Sequence, residues 1–195
     1  QARYPAARLM LHAGDALRFD FASLGDDLRI VGNLPYNISS PLLFRLMEFA
    51  SHIRDMHFML QKEVVARMTA EPSTHDYGRL SVMLQRRFHM EWLLDVPPTA
   101  FQPPPKVDSA VLVLRRLAKP RFEADSAKLF RLIKAGFGEK RKQLKNSLAG
   151  GLNASIDLIL SVLDSAQIDR ATRPQQLSLD DWHRLYLAAV KAGLI

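Results

Sequence analysis

The chain contains no cysteine. That excludes a disulfide framework, thiol catalysis and cysteine-ligated zinc, and it suits a reducing cytoplasm. Long hydrophobic runs are missing too. None approaches the roughly 18 residues that a membrane helix needs, and the opening residues do not read as a signal peptide. The common hydrolytic signatures are also absent: there is no Gly-x-Ser-x-Gly, no His-Glu-x-x-His and no phosphate-binding P-loop. The six histidines are scattered singly. His12 and His57, inside strand-like runs, read as core or rim residues rather than ligands. Glycine is scarce, at nine residues in 195, and no Gly-x-Gly-x-Gly occurs.

What is present is a chain able to bury a core, with 48% hydrophobic and 24% charged residues. The formal net charge of +7 points to an anionic partner. Most of that excess lies late in the chain. Residues 1–118 carry a net +2 and residues 119–195 a net +5.

Short apolar runs at Leu9–Ala13, Leu28–Val31 and Met56–Leu60 read as buried strands of a sheet covered on both faces. A helix follows the second, with Ser40 as the expected N-cap and Pro41 as its first residue. Gln61–Met68 continues as helix, and residues 71–76 form a polar loop. Leu80, Met83, Leu84 and Phe88 recur at helical spacing, whereas Met90, Trp92, Leu94 and Val96 alternate as a strand does. A proline-stiffened loop, Phe101–Lys106, leads to a last strand at Ala110–Leu114. The order predicts an α/β, doubly wound sheet with an antiparallel strand at or near one edge. After Ala118-Lys119-Pro120 every segment reads as helix, so about three helices form a small all-α unit. Ser178 is the expected cap of the last, with Asp181 completing a capping box.

Three groups of residues could carry chemistry. Asn33-Leu34-Pro35-Tyr36 closes the Leu28–Val31 strand, at the carboxyl edge where open α/β sheets place ligands. Asp15 closes the preceding strand, and a carboxylate there suits an amino or hydroxyl group of a nucleoside cofactor. The third group is the basic run Lys140, Arg141, Lys142 and Lys145. On a helix, Arg141 and Lys145 would lie one turn apart, with Lys134 two turns before Arg141, and could meet successive phosphates.

Asn33 to Pro41, reading Asn-Leu-Pro-Tyr-Asn-Ile-Ser-Ser-Pro, resembles the adenine N6-methylation motif of ribosomal RNA adenine dimethyltransferases. Phe101 to Ala110 resembles the second signature of that family. Leu60–Glu63, Tyr77–Ser81 and Phe137–Leu148 are similar to further family blocks, in the same order. The resemblance runs from about Leu9 to the C-terminus and is closest to the bacterial small-subunit branch.

The resemblance implies a Rossmann-like methyltransferase sheet in residues 1–118 and a helical rRNA-binding domain in 119–195. It implies S-adenosylmethionine as methyl donor and requires no metal. The acceptors would be two adjacent adenines near the 3′ end of small-subunit (16S) rRNA, with the 30S subunit as partner and no membrane or obligate protein partner. Carried over residue by residue, the Asn33 side chain and the Pro35 carbonyl accept the two N6 hydrogens. Tyr36 stacks on the extruded base and Phe101 contacts its other face. Asp15 and Asn33 border the cofactor, and Lys140, Arg141, Lys142 and Lys145 contact RNA.

The chain also departs from the pattern. It begins with Gln1 rather than Met, and the glycine-rich segment and ribose-binding acidic residue of the family lie upstream of anything in it. The sheet is therefore expected to be incomplete, without its first two strands, and binding of the cofactor by this stretch alone is expected to be weak or absent. Two alternatives stay open at this stage. One is a non-catalytic ribosome-assembly factor; the other is an adenine N6-methyltransferase acting on large-subunit rRNA or DNA.

Overall fold

The structure, a computed structural model, describes residues 9–139 and 141–195. Among them lies a sheet of strands β1 (Leu28–Asn33), β2 (Ile53–Gln61), β3 (Phe88–Val96) and β4 (Ser109–Arg116), in spatial order β1-β2-β4-β3. β1 and β2 run parallel, and β4 is antiparallel to both of its neighbours. The expected antiparallel strand is therefore β4, one place in from the edge.

Helices α1 (Ser39–Glu48), α2 (Lys62–Thr69) and α3 (Arg79–Arg87) pack on the sheet. Period-two alternation sends Met56, Phe58 and Leu60 of β2, and Leu112 and Leu114 of β4, into that layer. There they meet Leu43 and Leu46 of α1, Val65 and Met68 of α2, and Leu84 of α3. Burying each such side chain contributes about 1.5–3 kcal/mol, so the helix-facing side is the main source of cohesion. The opposite face differs from expectation. Val31 is 71% exposed, and Arg29 and Asn33 beside it are exposed as well. Among the described residues β1 is thus half-buried on one face and exposed on the other. On that exposed face Arg29 donates two hydrogen bonds to the buried Asp55 of β2, at 2.7 and 2.8 Å.

The run Leu9–Ala13 is not a strand. It has the apolar composition of one, but a strand needs a neighbour to complete its ladder. Among the described residues none pairs with it, and Met10 and Leu11 are exposed at 79% and 67%. The start of α1 also shifts: its N-cap is Ile38, and Ser39 rather than Ser40 bonds back, to the Tyr36 carbonyl at 3.1 Å. Pro41 still falls in the first turn, where its missing N–H has no partner to lose.

Four α-helices follow among the described residues, one more than expected: α4 (Ser126–Gly136), α5 (Leu144–Leu152), α6 (Ile156–Ser165) and α7 (Leu179–Lys191). The apolar stripe from Phe130 to Leu148 is not one helix. It breaks after Gly136, where a Cβ would lie 2.7 Å from the Trp182 ring, and the chain turns through Phe137–Glu139. Ser178 and Asp181 cap α7 reciprocally, as expected.

The helical core includes Leu129, Ile133, Leu148, Val162, Trp182 and Leu185, and it takes in Tyr77, Val82 and Met83 from the region before Pro120. Helix α3 therefore serves both cores, with Leu80 and Leu84 toward the sheet and Val82 and Met83 toward the helices. Buried Arg86 strengthens the junction by donating to the Phe122 and Ala124 carbonyls at 3.0 and 2.8 Å. Burial pushes its pKa below the ordinary value. Among the described residues no helix is long and apolar enough to cross a membrane.

Candidate functional site beyond the end of β1

β1 ends at Asn33, which pairs with Met59 of β2. Leu34 turns inward and is buried, while its N–H donates to the Met59 carbonyl at 3.2 Å. Its side chain folds back over Gly32, where an added Cβ would lie 2.9 Å from it. Anchoring Leu34 leaves its neighbours Asn33 and Pro35 facing solvent. The turn closes through Ile38 N–H to the Pro35 carbonyl at 3.2 Å. That carbonyl keeps a second lone pair. The Asn33 amide makes no hydrogen bond to any described residue.

The proline-rich loop arrives from the other side. Pro98–Ala100 makes a single 3₁₀ turn, and Phe101 N–H donates to the Pro98 carbonyl at 3.1 Å. The base of the loop is held by Lys62, whose N–H donates to the Asp108 carbonyl at 2.9 Å and whose Nζ donates to Asp95 at 2.6 Å. Phe101, Pro103 and Pro105 thereby share a cavity of about 330 Å³ with Asn33, Leu34, Pro35 and Tyr36. This is at the lower end of the roughly 300–1,000 Å³ of small-ligand clefts. Tyr36 Oη lies 2.7 Å from Ser109 Oγ. Ser109 is fully buried at the start of β4.

Asp15 sits elsewhere. One of its oxygens accepts from Leu17 N–H at 2.9 Å, and the other is 3.8 Å from the Arg18 guanidinium. It lies beside a smaller cavity of about 260 Å³, lined by His12, Gly14, Ala16, Phe19, Phe21 and Leu24. Asp15 does not line the Asn33 cavity.

The basic run corrects an expectation. Arg141 and Lys142 lie in an exposed turn, and only Lys145 belongs to a helix, in the first turn of α5. Lys140 lies outside the described residues. Because α5 begins only at Leu144, the supposed one-turn register between Arg141 and Lys145 is lost, and the break after Gly136 removes the register between Lys134 and Arg141. A different set is brought together instead. Arg131 and Lys134 of α4 line a cavity of about 660 Å³ with Lys142, Asn146 and Gly150. Lys142 also pairs with Glu139 at 2.7 Å. Arg131 was not among the expected RNA-binding residues, although its spacing from Lys134, one helical turn, was readable. Ser109 was missed as well, and no local signal marks a buried strand serine as the partner of a distant tyrosine.

The family model described as ribosomal RNA adenine dimethylase matches residues 2–191. The chain belongs to the ribosomal RNA adenine dimethylase family. The ribosomal RNA small subunit methyltransferase A of Thiobacillus denitrificans is 58% identical over 190 residues, covering 95% of this chain and 71% of that protein. The protein of the same description from Nitrosospira multiformis is 54% identical over 193 residues, covering 97% and 72%. Among solved structures, a dimethyladenosine transferase from Plasmodium falciparum matches with a TM-score of 0.80 at 26% identity, over 93% of this chain and 72% of that one. The 23S rRNA methyltransferase ErmE matches with a TM-score of 0.61, also at 26% identity, over 89% and 69%. Among the described residues the chain thus has a four-stranded mixed sheet of the Rossmann-like methyltransferase kind, with a helical C-terminal part, as expected.

Proposed function

We propose that this member of the adenine dimethylase family methylates N6 of two adjacent adenines near the 3′ end of small-subunit rRNA, using S-adenosylmethionine. The observation that carries this reading is the single cavity that joins Asn33, Pro35 and Tyr36 to Phe101. Adenine N6 is a poor nucleophile because its lone pair is delocalised into the ring. The unpartnered Asn33 carboxamide oxygen and the free lone pair of the Pro35 carbonyl accept the two N6 hydrogens. That pairing favours a pyramidal nitrogen whose lone pair is available for attack. It acts by orientation and preorganised charge rather than by a base of shifted pKa. Tyr36 stacks on one face of the extruded adenine and Phe101 covers the other, compensating for the stacking given up within the RNA.

The residues present fit the donor in part. The Asn33 amide would border it, and the second Asp15 oxygen, tied only to an exposed arginine 3.8 Å away, would suit the amino group of its adenine. When bound, S-adenosylmethionine supplies a sulfonium methyl as the electrophile. The helical unit binds the rRNA backbone through Arg141, Lys142 and Lys145, with Lys140 in the same run, and the 30S subunit is the substrate particle.

The test is methyl transfer to small subunits that lack the modification, with the products resolved by mass spectrometry. The reading requires dimethyladenosine at two neighbouring positions. Methylation of large-subunit rRNA or DNA alone, or binding to subunits without any transfer, would contradict it.

A further inference from the structure

Tyr36 and Ser109 come from different elements, yet their hydroxyl oxygens lie 2.7 Å apart. We infer that Ser109 is a positioning residue for methyl transfer, holding the Tyr36 ring at the angle that presents the acceptor base. The inference rests on the reading of Tyr36 as the stacking face. Three observations carry it. Ser109 has no exposed surface, so its hydroxyl is not competing with water. Its backbone is fixed on both sides, opposite Gln61 of β2 and Val96 of β3, so the hydroxyl is a rigid anchor. The other end of Tyr36 is fixed too, since its carbonyl accepts from Ser39 Oγ at 3.1 Å.

A tyrosine ring pivots about two side-chain torsions, and a bond at its far tip removes that freedom. The bond also joins the β1 turn to the strand that directly follows the Phe101 loop. The two aromatic walls of the cavity are thereby set relative to one another, and the base between them is held in one plane. Loss of the bond leaves the cavity in place but lets one wall swing. Misorientation of the N6 lone pair lowers the rate of transfer more than it weakens binding of a large RNA particle. The second methylation suffers more, because monomethylated N6 has a single hydrogen left to define its orientation.

The experiment compares Ser109→Ala, Tyr36→Phe, the double variant and Tyr36→Ala in the full-length protein. Initial rates are measured on unmethylated small subunits. Each conservative single variant is expected to lower kcat roughly tenfold with KM little changed, and to raise the ratio of monomethyl to dimethyl product. The double variant is expected to be no worse than either single one, because all three remove the same bond. Ser109→Ala at full kcat, or losses that multiply in the double variant, would overturn the inference while Tyr36→Ala stays impaired. If Ser109→Ala does not fold, Tyr36→Phe decides alone, and a full rate there overturns it. Full activity of Tyr36→Ala would instead remove the stacking role on which the inference rests.

Discussion

Tyr36 and Phe101, remote in sequence, line one cavity beyond the end of β1. A turn after a parallel strand and a proline-rich loop before an antiparallel one thus build the same site. Their meeting depends on β4 lying beside β2, which brings the end of the loop to the edge where β1 terminates.

Phe101→Ala opens one wall of that cavity. Stacking of a base on an aromatic ring contributes about 1–3 kcal/mol, so kcat/KM for small subunits should fall between about fivefold and a hundredfold. Thermal stability should change little, because Phe101 is not part of either hydrophobic core. Steady-state kinetics together with a melting curve checks both statements.

The groove between α4 and α5 predicts a salt effect. Replacing Arg131, Lys134 and Lys142 by Ala should weaken binding to small subunits and flatten its dependence on salt. The logarithmic slope should shrink by about one unit for every phosphate that is no longer neutralised. Lys142 counts for less than its formal charge because Glu139 already pairs with it. Filter binding over a range of salt concentrations measures the slope. An unchanged slope would remove these residues from the RNA-binding surface.

Asp55 predicts a pH dependence. Two hydrogen bonds from Arg29, opposed by burial and helped by the charges of Arg29, Arg54 and His57, hold its carboxyl well below the usual carboxylate range. A group whose pKa is lowered on folding stabilises the fold above its unfolded value, near 3.9. That contribution fades as pH falls toward the folded value. Asp55→Asn should therefore cost about 1–2 kcal/mol around pH 7, and the gap to the unaltered protein should narrow below about pH 4. Urea denaturation at neutral and acidic pH tests the sign.

Much of the site is legible in the residues alone. A short apolar run followed by Asn-Leu-Pro-Tyr states both the strand and its turn, because the pattern is local. Residues whose role depends on a distant partner are not legible in the same way. Ser109 looks like any polar residue at a strand start until Tyr36 is placed against it. The basic stretch misleads because Gly136 and Gly138 look like interruptions of one helix. Trp182 lies so close to Gly136 that any side chain there would collide with it, and the chain turns at that point. Leu9–Ala13 has the composition of a strand, but among the described residues no neighbour completes its ladder.

The central claim is that Asn33 and the Pro35 carbonyl orient the acceptor nitrogen. Its most direct measurement is single-turnover methyl transfer by Asn33→Ala on unmethylated small subunits, alongside the affinity of the variant for those subunits. The expected rate is lower by a factor on the order of 10²–10³, as when one preorganised group at a reacting centre is removed, with subunit affinity retained. Transfer at the unaltered rate, with both adenines still dimethylated, would contradict it.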